Sequence, residues 1–198
     1  MSSHLDESGK KLGMWLFLYT EIILFGGLFV LYAVYFAEYT RDFIEGGKEL
    51  NRLFGVINTV ILLVSSFSVA ASITAIQKKE KQKAMAGLAT AFLCGLVFLV
   101  NKYFEWGHKI EHGIFPNSET LLDGPPGQNL FFGLYYVITG LHGIHIIIGM
   151  TLLFISLVFV WKNKTNHERF AFLENSGLYW HLVDLIWVFI FPLFYLVI

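Results

Sequence analysis

Ionisable side chains set within apolar sequence mark where this chain could do chemistry, and five stand out: Glu21, His142, His145, His181 and Asp184. An ionisable group in hydrocarbon costs a few kcal/mol or more, so each needs a partner, a cavity or a function. Glu21 lies ten residues past Lys11, which is about 15 Å at 1.5 Å per residue and near the midplane of a bilayer core about 30 Å thick. That depth predicts a carboxyl that is protonated or hydrogen-bonded, with a proton-linked role or a structural hydrogen bond as its two readings. His142 and His145 are three apart and project from nearly one helical face, beside Gly140 and Gly143, which let a second helix approach closely. His181 and Asp184 are also three apart, and the carboxylate can accept from the imidazole, which would make both cheaper to bury.

Three buried histidines invite metal or haem ligation, since imidazole serves both. A haem held between helices takes one histidine from each of two, whereas His142 and His145 share a helix and only His181 lies on another. Hydrogen bonding across a helix bundle accounts for the same residues without a cofactor. Asn58, Ser65, Ser68 and Ser72 fall on one helical face, a pattern that reads as a packing seam. The tract 102–112, with His108 and His112 four apart, reads as a solvated outer helix rather than a metal site. Trp106, Trp161 and Tyr195 at span ends read as interfacial anchors. Cys94 is the only cysteine, so no intrachain disulfide or thiolate cluster can form. No nucleophile–base pair, phosphate-binding loop or dinucleotide fingerprint is visible, so no catalytic residue is assigned.

The elements that must position these groups follow from composition. The chain has 198 residues, 56% apolar, 17% aromatic and 15% charged, with mean hydropathy +0.61; a soluble domain would carry about 25% charged residues. A formal net charge of −1 gives no basic excess for nucleic acid. The fold expected is all-α, a single polytopic membrane domain over 1–198 with five transmembrane helices at approximately 12–37, 53–76, 84–103, 130–160 and 177–197. Lys10, Lys11, Lys78, Lys79, Lys81, Lys83, Lys162, Lys164 and Arg169 share the side of the N-terminus, against Arg41, Lys48, Arg52, Lys102 and Lys109 on the other. That bias predicts a cytoplasmic N-terminus and an outside C-terminus. The longest connection, from about 104 to 129, contains Asp123-Gly124-Pro125-Pro126-Gly127, which forces a turn before the fourth span.

The segments Leu16-Phe17-Leu18-Tyr19-Thr20-Glu21-Ile22-Ile23-Leu24-Phe25, Ile57-Asn58-Thr59-Val60-Ile61-Leu62-Leu63, Thr139-Gly140-Leu141-His142-Gly143-Ile144-His145 and Tyr179-Trp180-His181-Leu182-Val183-Asp184-Leu185-Ile186-Trp187 resemble, in family order and across nearly the whole chain, subunit III of the haem-copper terminal oxidases. The resemblance implies a subunit of a proton-pumping respiratory complex that reduces oxygen to water, in the cytoplasmic (inner) membrane of a prokaryote. It implies haem and copper in the partner subunits I and II, no redox cofactor and no metal in this chain, and bound phospholipid. The roles implied are assembly, proton uptake and protection against turnover-linked inactivation. Glu21 falls on the family's carbodiimide-reactive intramembrane carboxylate, and His142, His145, His181 and Asp184 fall on its structural, lipid-proximal histidine and tryptophan-histidine-aspartate motifs. Mitochondrial-type members have seven spans and this chain resembles the last five, so the lipid cleft between the first two spans and the rest needs another chain for one wall. Five-span forms also resemble quinol oxidase subunits and accessory subunits of nitric oxide reductases; Glu21 rather than aspartate leans towards cytochrome c oxidase. Two readings of other classes remain: a b-type cytochrome anchor ligating haem through His181 with His142 or His145, and a proton-coupled transporter carrying protons on Glu21 and Asp184.

Overall fold

The computed structural model describes residues 2–165 and 170–197; Arg169, counted above with the N-terminal side, lies outside the described residues. Every regular element described is a helix: α1 (Ser2–Glu38), α2 (Thr40–Lys48), α3 (Arg52–Gln77), α4 (Lys81–Glu111), α5 (Glu119–Leu122), α6 (Pro126–Trp161) and α7 (Ala171–Tyr195). Five of them, α1 through its segment Leu12–Glu38 and the whole of α3, α4, α6 and α7, are long and apolar enough to cross a membrane. In hydrocarbon only a helix satisfies its own backbone groups along its length, so charge-free runs of this length fold this way. Local signals set the ends. Asn51 caps α3 by accepting the Leu53 N–H at 3.0 Å, and Pro126, at the first turn of α6, costs no helical hydrogen bond there.

Helices α3, α4, α6 and α7 close a four-membered ring, in which α3 packs on α4, α4 on α6, α6 on α7 and α7 back on α3. α1 lies outside the ring against α6 and α7. It is held by a narrow stripe of buried residues, Leu18, Phe25 and Tyr32, spaced seven apart, with the Tyr32 hydroxyl donating to the Leu193 carbonyl. The short α2 folds back on the start of α6: Phe43 meets Phe131 edge-on at 5.4 Å, and the Gly127 N–H donates to Asp42 at 3.1 Å.

The polar face of α3 is a packing seam. Asn58, Ser65 and Ser72 are buried, Ser65 donates to the Ala91 carbonyl on α4 at 3.2 Å, and Asn101 donates to Asn58 at 2.9 Å. The two helices pack tightly at Gly87, where an added Cβ would lie 2.2 Å from the Ser72 hydroxyl and 2.8 Å from the Ser68 carbonyl oxygen. A backbone oxygen cannot swing aside, so Gly87→Ala should destabilise the bundle by about 1–3 kcal/mol. Thermal unfolding in mild detergent would register this as a lowered midpoint.

Several boundaries depart from expectation. The third span does not end near 103: α4 continues to Glu111, because Lys102, Glu105 and Lys109 face inward and are buried rather than marking an exit to water. The connection expected from 104 to 129 is correspondingly short and contains α5. The last span runs from Ala171 to Tyr195 rather than 177–197, and α2 occupies the first connection. Tyr195 is no interfacial anchor, since it is fully buried, whereas Trp161 is exposed at its helix end.

Candidate functional site

The ring fixes α6 and α7 rigidly, and α1 delivers Glu21 to them. Glu21 Oε2 lies 2.8 Å from His145 Nε2, with both side chains mostly shielded, at 13% and 9% exposed. The other imidazole nitrogen, Nδ1, is 2.7 Å from the Leu141 carbonyl oxygen, one turn back on α6. A carbonyl oxygen only accepts, so Nδ1 carries a hydrogen. The contact between Nε2 and Oε2 therefore holds one proton, either on Glu21, donating to a neutral imidazole, or on His145, donating to a carboxylate. Both forms have zero net charge, which makes the pair tolerable at this depth. Phe25 packs edge-on against the ring at 5.2 Å, and Tyr179 stacks beside it at 6.5 Å, so the pair sits in an aromatic shell.

His142, one turn before His145, points into the ring interior. It is completely buried between Phe98, at 5.6 Å between centroids, and Trp187, at 5.2 Å; among the described residues neither of its nitrogens has a hydrogen-bond partner. The expected pairing of His181 with Asp184 does not form. His181 Nδ1 instead lies 2.6 Å from the Ser66 hydroxyl on α3, and neither oxygen of the buried Asp184 has a partner among the described residues. The α7 face towards α3 explains this: Trp180 donates to Ser65 at 2.9 Å and Trp187 to Thr59 at 3.1 Å. With two indoles anchored on α3 hydroxyls, His181 falls opposite Ser66, one residue off the stripe read from sequence.

A second polar centre was not anticipated. Lys102 on α4 is buried and donates all three of its hydrogens: to Glu105 Oε2 at 3.0 Å, to the Tyr135 hydroxyl on α6 at 2.8 Å and to the Tyr195 hydroxyl on α7 at 3.0 Å. Both tyrosines pass their own hydrogen to Glu105 Oε1, at 2.8 and 2.7 Å. The ammonium also lies 4.8 Å from the centroid of the Tyr135 ring. The network is neutral and every donor in it is used. Lys109, two turns beyond Lys102, donates to the Glu49 carbonyl at 3.0 Å and so ties the end of α2 to α4. The spacing of Lys102 and Glu105, three apart on one face, was the available signal; their tyrosine partners were not readable. His108 and His112 stay exposed, with their rings 4.3 Å apart.

Among the described residues no group of three or more His, Cys, Asp or Glu side chains is arranged to hold a metal ion. A haem bridging His181 and His145 would have to displace Ser66 from one, and Glu21 or the Leu141 carbonyl from the other.

Comparison with known proteins places this geometry in context. The chain is 28% identical, over 98% of its length and 88% of the relative's, to a cytochrome bo(3) ubiquinol oxidase subunit 3 of Pseudomonas aeruginosa. It is 31% identical, over 94% of its length and 75% of the relative's, to a cytochrome c oxidase subunit 3 of Synechocystis. A probable quinol oxidase subunit 3 of Staphylococcus haemolyticus is 29% identical over 95% of this chain and 89% of its own length. The profile of one family, described as cytochrome c oxidase subunit III, matches residues 3–197, and with that match over nearly every residue the chain belongs to the cytochrome c oxidase subunit III family of the haem-copper oxidases.

Proposed function

We propose that the chain is a non-catalytic, single-domain subunit III of a proton-pumping haem-copper respiratory oxidase of the cytochrome c type. In this reading it spans a prokaryotic cytoplasmic membrane with its N-terminus cytoplasmic and its C-terminus outside. The haems and copper belong to partner subunits I and II and supply the reduction of oxygen to water, while this chain supports assembly, lipid binding, proton uptake and turnover stability. The observation that carries the reading is the Glu21–His145 pair, a one-proton site shared between α1 and the ring. Passing the proton between Glu21 and His145 leaves the pair neutral, whereas handing it to an acceptor outside the pair leaves one negative charge that the next proton taken up neutralises. His142, His181 and Asp184 are proposed as structural polar groups of the interior.

Quinol as electron donor is the second reading, favoured by relatives named as quinol oxidase subunits at 28% and 29% identity, beside 31% for the cytochrome c oxidase relative. Co-purification with this chain in mild detergent tests both. The expected result is a larger polytopic partner, a haem difference spectrum that is lost when this chain is stripped away alone, and oxygen uptake with reduced cytochrome c. Uptake with quinol alone would move the assignment to the second reading. A haem spectrum retained by the stripped chain would make the histidines ligands, and a chain that binds neither haem nor partner would bring the proton-coupled transporter reading to the front.

A further inference from the structure

We propose that the furrow between α4 and α6 at the lysine-bearing end of the bundle holds an acyl chain of an anionic phospholipid from that leaflet. The furrow is an open trough of about 490 Å³ lined by Met85, Ala86, Ala89, Leu157, Val158 and Trp161. Alanines at two successive turns of α4 leave its floor low, and the exposed indole of Trp161 closes its outer end. One turn deeper, Phe92 and Phe154 meet across the same two helices at 5.9 Å. From Trp161 to Phe154 is about 10 Å at 1.5 Å per residue, out of the roughly 15 Å of hydrocarbon in one leaflet. Past this pair the furrow continues as a second hollow of about 370 Å³ lined by Leu99, Ile147, Met150 and Thr151, so what distinguishes the outer part is the charge at its mouth.

Charge selects the headgroup. Lys81 Nζ sits at the mouth, donating to the Trp161 carbonyl at 2.8 Å and to Asn163 at 2.7 Å, which leaves its third hydrogen for a ligand. Lys162 follows Trp161 directly, and Lys78, Lys79, Lys83 and Lys164 lie in the same two connections. Within residues 78–83 and 161–165 the only carboxylate is Glu80, and Lys83 pairs with it at 3.0 Å. Among the described residues of these two connections lysines outnumber the one carboxylate, and an apolar trough with that charge at its mouth favours an anionic amphiphile over a zwitterionic one. The site deepens the lipid-binding part of the proposed function and rests on that reading only for the membrane placement; haem co-purification tests the oxidase role independently.

The test uses the tagged chain, with the subunits that co-purify, in vesicles containing phosphatidylglycerol or phosphatidylcholine that carries a diazirine within one acyl chain. After irradiation, adducts are mapped by peptide mass spectrometry. Expected are adducts on 85–89 and 157–161 that favour phosphatidylglycerol by about fivefold for each lysine engaged. The preference should shrink in Lys79→Gln/Lys162→Gln, a pair of exposed positions whose change leaves the Lys81 contacts in place. Ala89→Trp, which fills the furrow, should abolish these adducts for both lipids while adducts on α1 persist. Equal labelling by the two lipids would overturn the charge selection. Labelling unchanged by Ala89→Trp, or none at the furrow with either lipid, would overturn the site.

Discussion

Glu105→Gln should be among the most destabilising single substitutions in this chain, costing about 3–5 kcal/mol, because it strands the buried Lys102 ammonium without an anion. The glutamine oxygen can still accept one hydrogen bond, but the two tyrosine hydroxyls and the ammonium compete for it. The double substitution Lys102→Met/Glu105→Gln should recover most of the loss, since removing both charges removes the desolvation that the pair opposes. Thermal or denaturant unfolding of parent, both single variants and the double variant gives the coupling energy directly. A Glu105→Gln variant no less stable than the double one would mean that Lys102 finds another anion or sheds its charge, and the closed network would lose its role as the clamp joining α4, α6 and α7.

This network also shows where the sequence stopped being informative. Spans were legible because long charge-free runs have one stable outcome in hydrocarbon. Their ends were not, because a lysine in sequence reads as an exit to water, and whether Lys102 is instead neutralised depends on Tyr135 and Tyr195, which stand 33 and 93 positions away. The α3 stripe was readable for the opposite reason: Asn58, Ser65 and Ser72 share a face by local periodicity alone. The pairing of His181 with Asp184 was a local inference and failed, since the registry of α7 against α3 is set by Trp180 and Trp187 and puts a hydroxyl closer than the carboxylate. Glu21 lay in between. Its depth could be counted, but its partner, 124 positions away, could not.

Glu21 separates two roles through two substitutions. In Glu21→Leu, His145 Nε2 is left buried without a partner, at a cost of about 1–3 kcal/mol. α1 has few other polar ties to the ring, so its docking and the yield of assembled complex should fall. Glu21→Gln keeps an N–H that can donate to Nε2 while Nδ1 stays on the Leu141 carbonyl, so the helix contact survives with a loss of about 0.5–1 kcal/mol or less. What glutamine cannot do is release that hydrogen. If the pair serves proton uptake, Glu21→Gln should assemble like the parent yet pump fewer protons per electron or lose activity sooner during sustained turnover, and carbodiimide should no longer label the chain at this position. Pumping stoichiometry and turnover lifetime measured side by side for the two variants decide the matter. A glutamine variant that matches the parent in both would make Glu21 a structural tether for α1, because the hydrogen bond alone would then account for everything the carboxyl does.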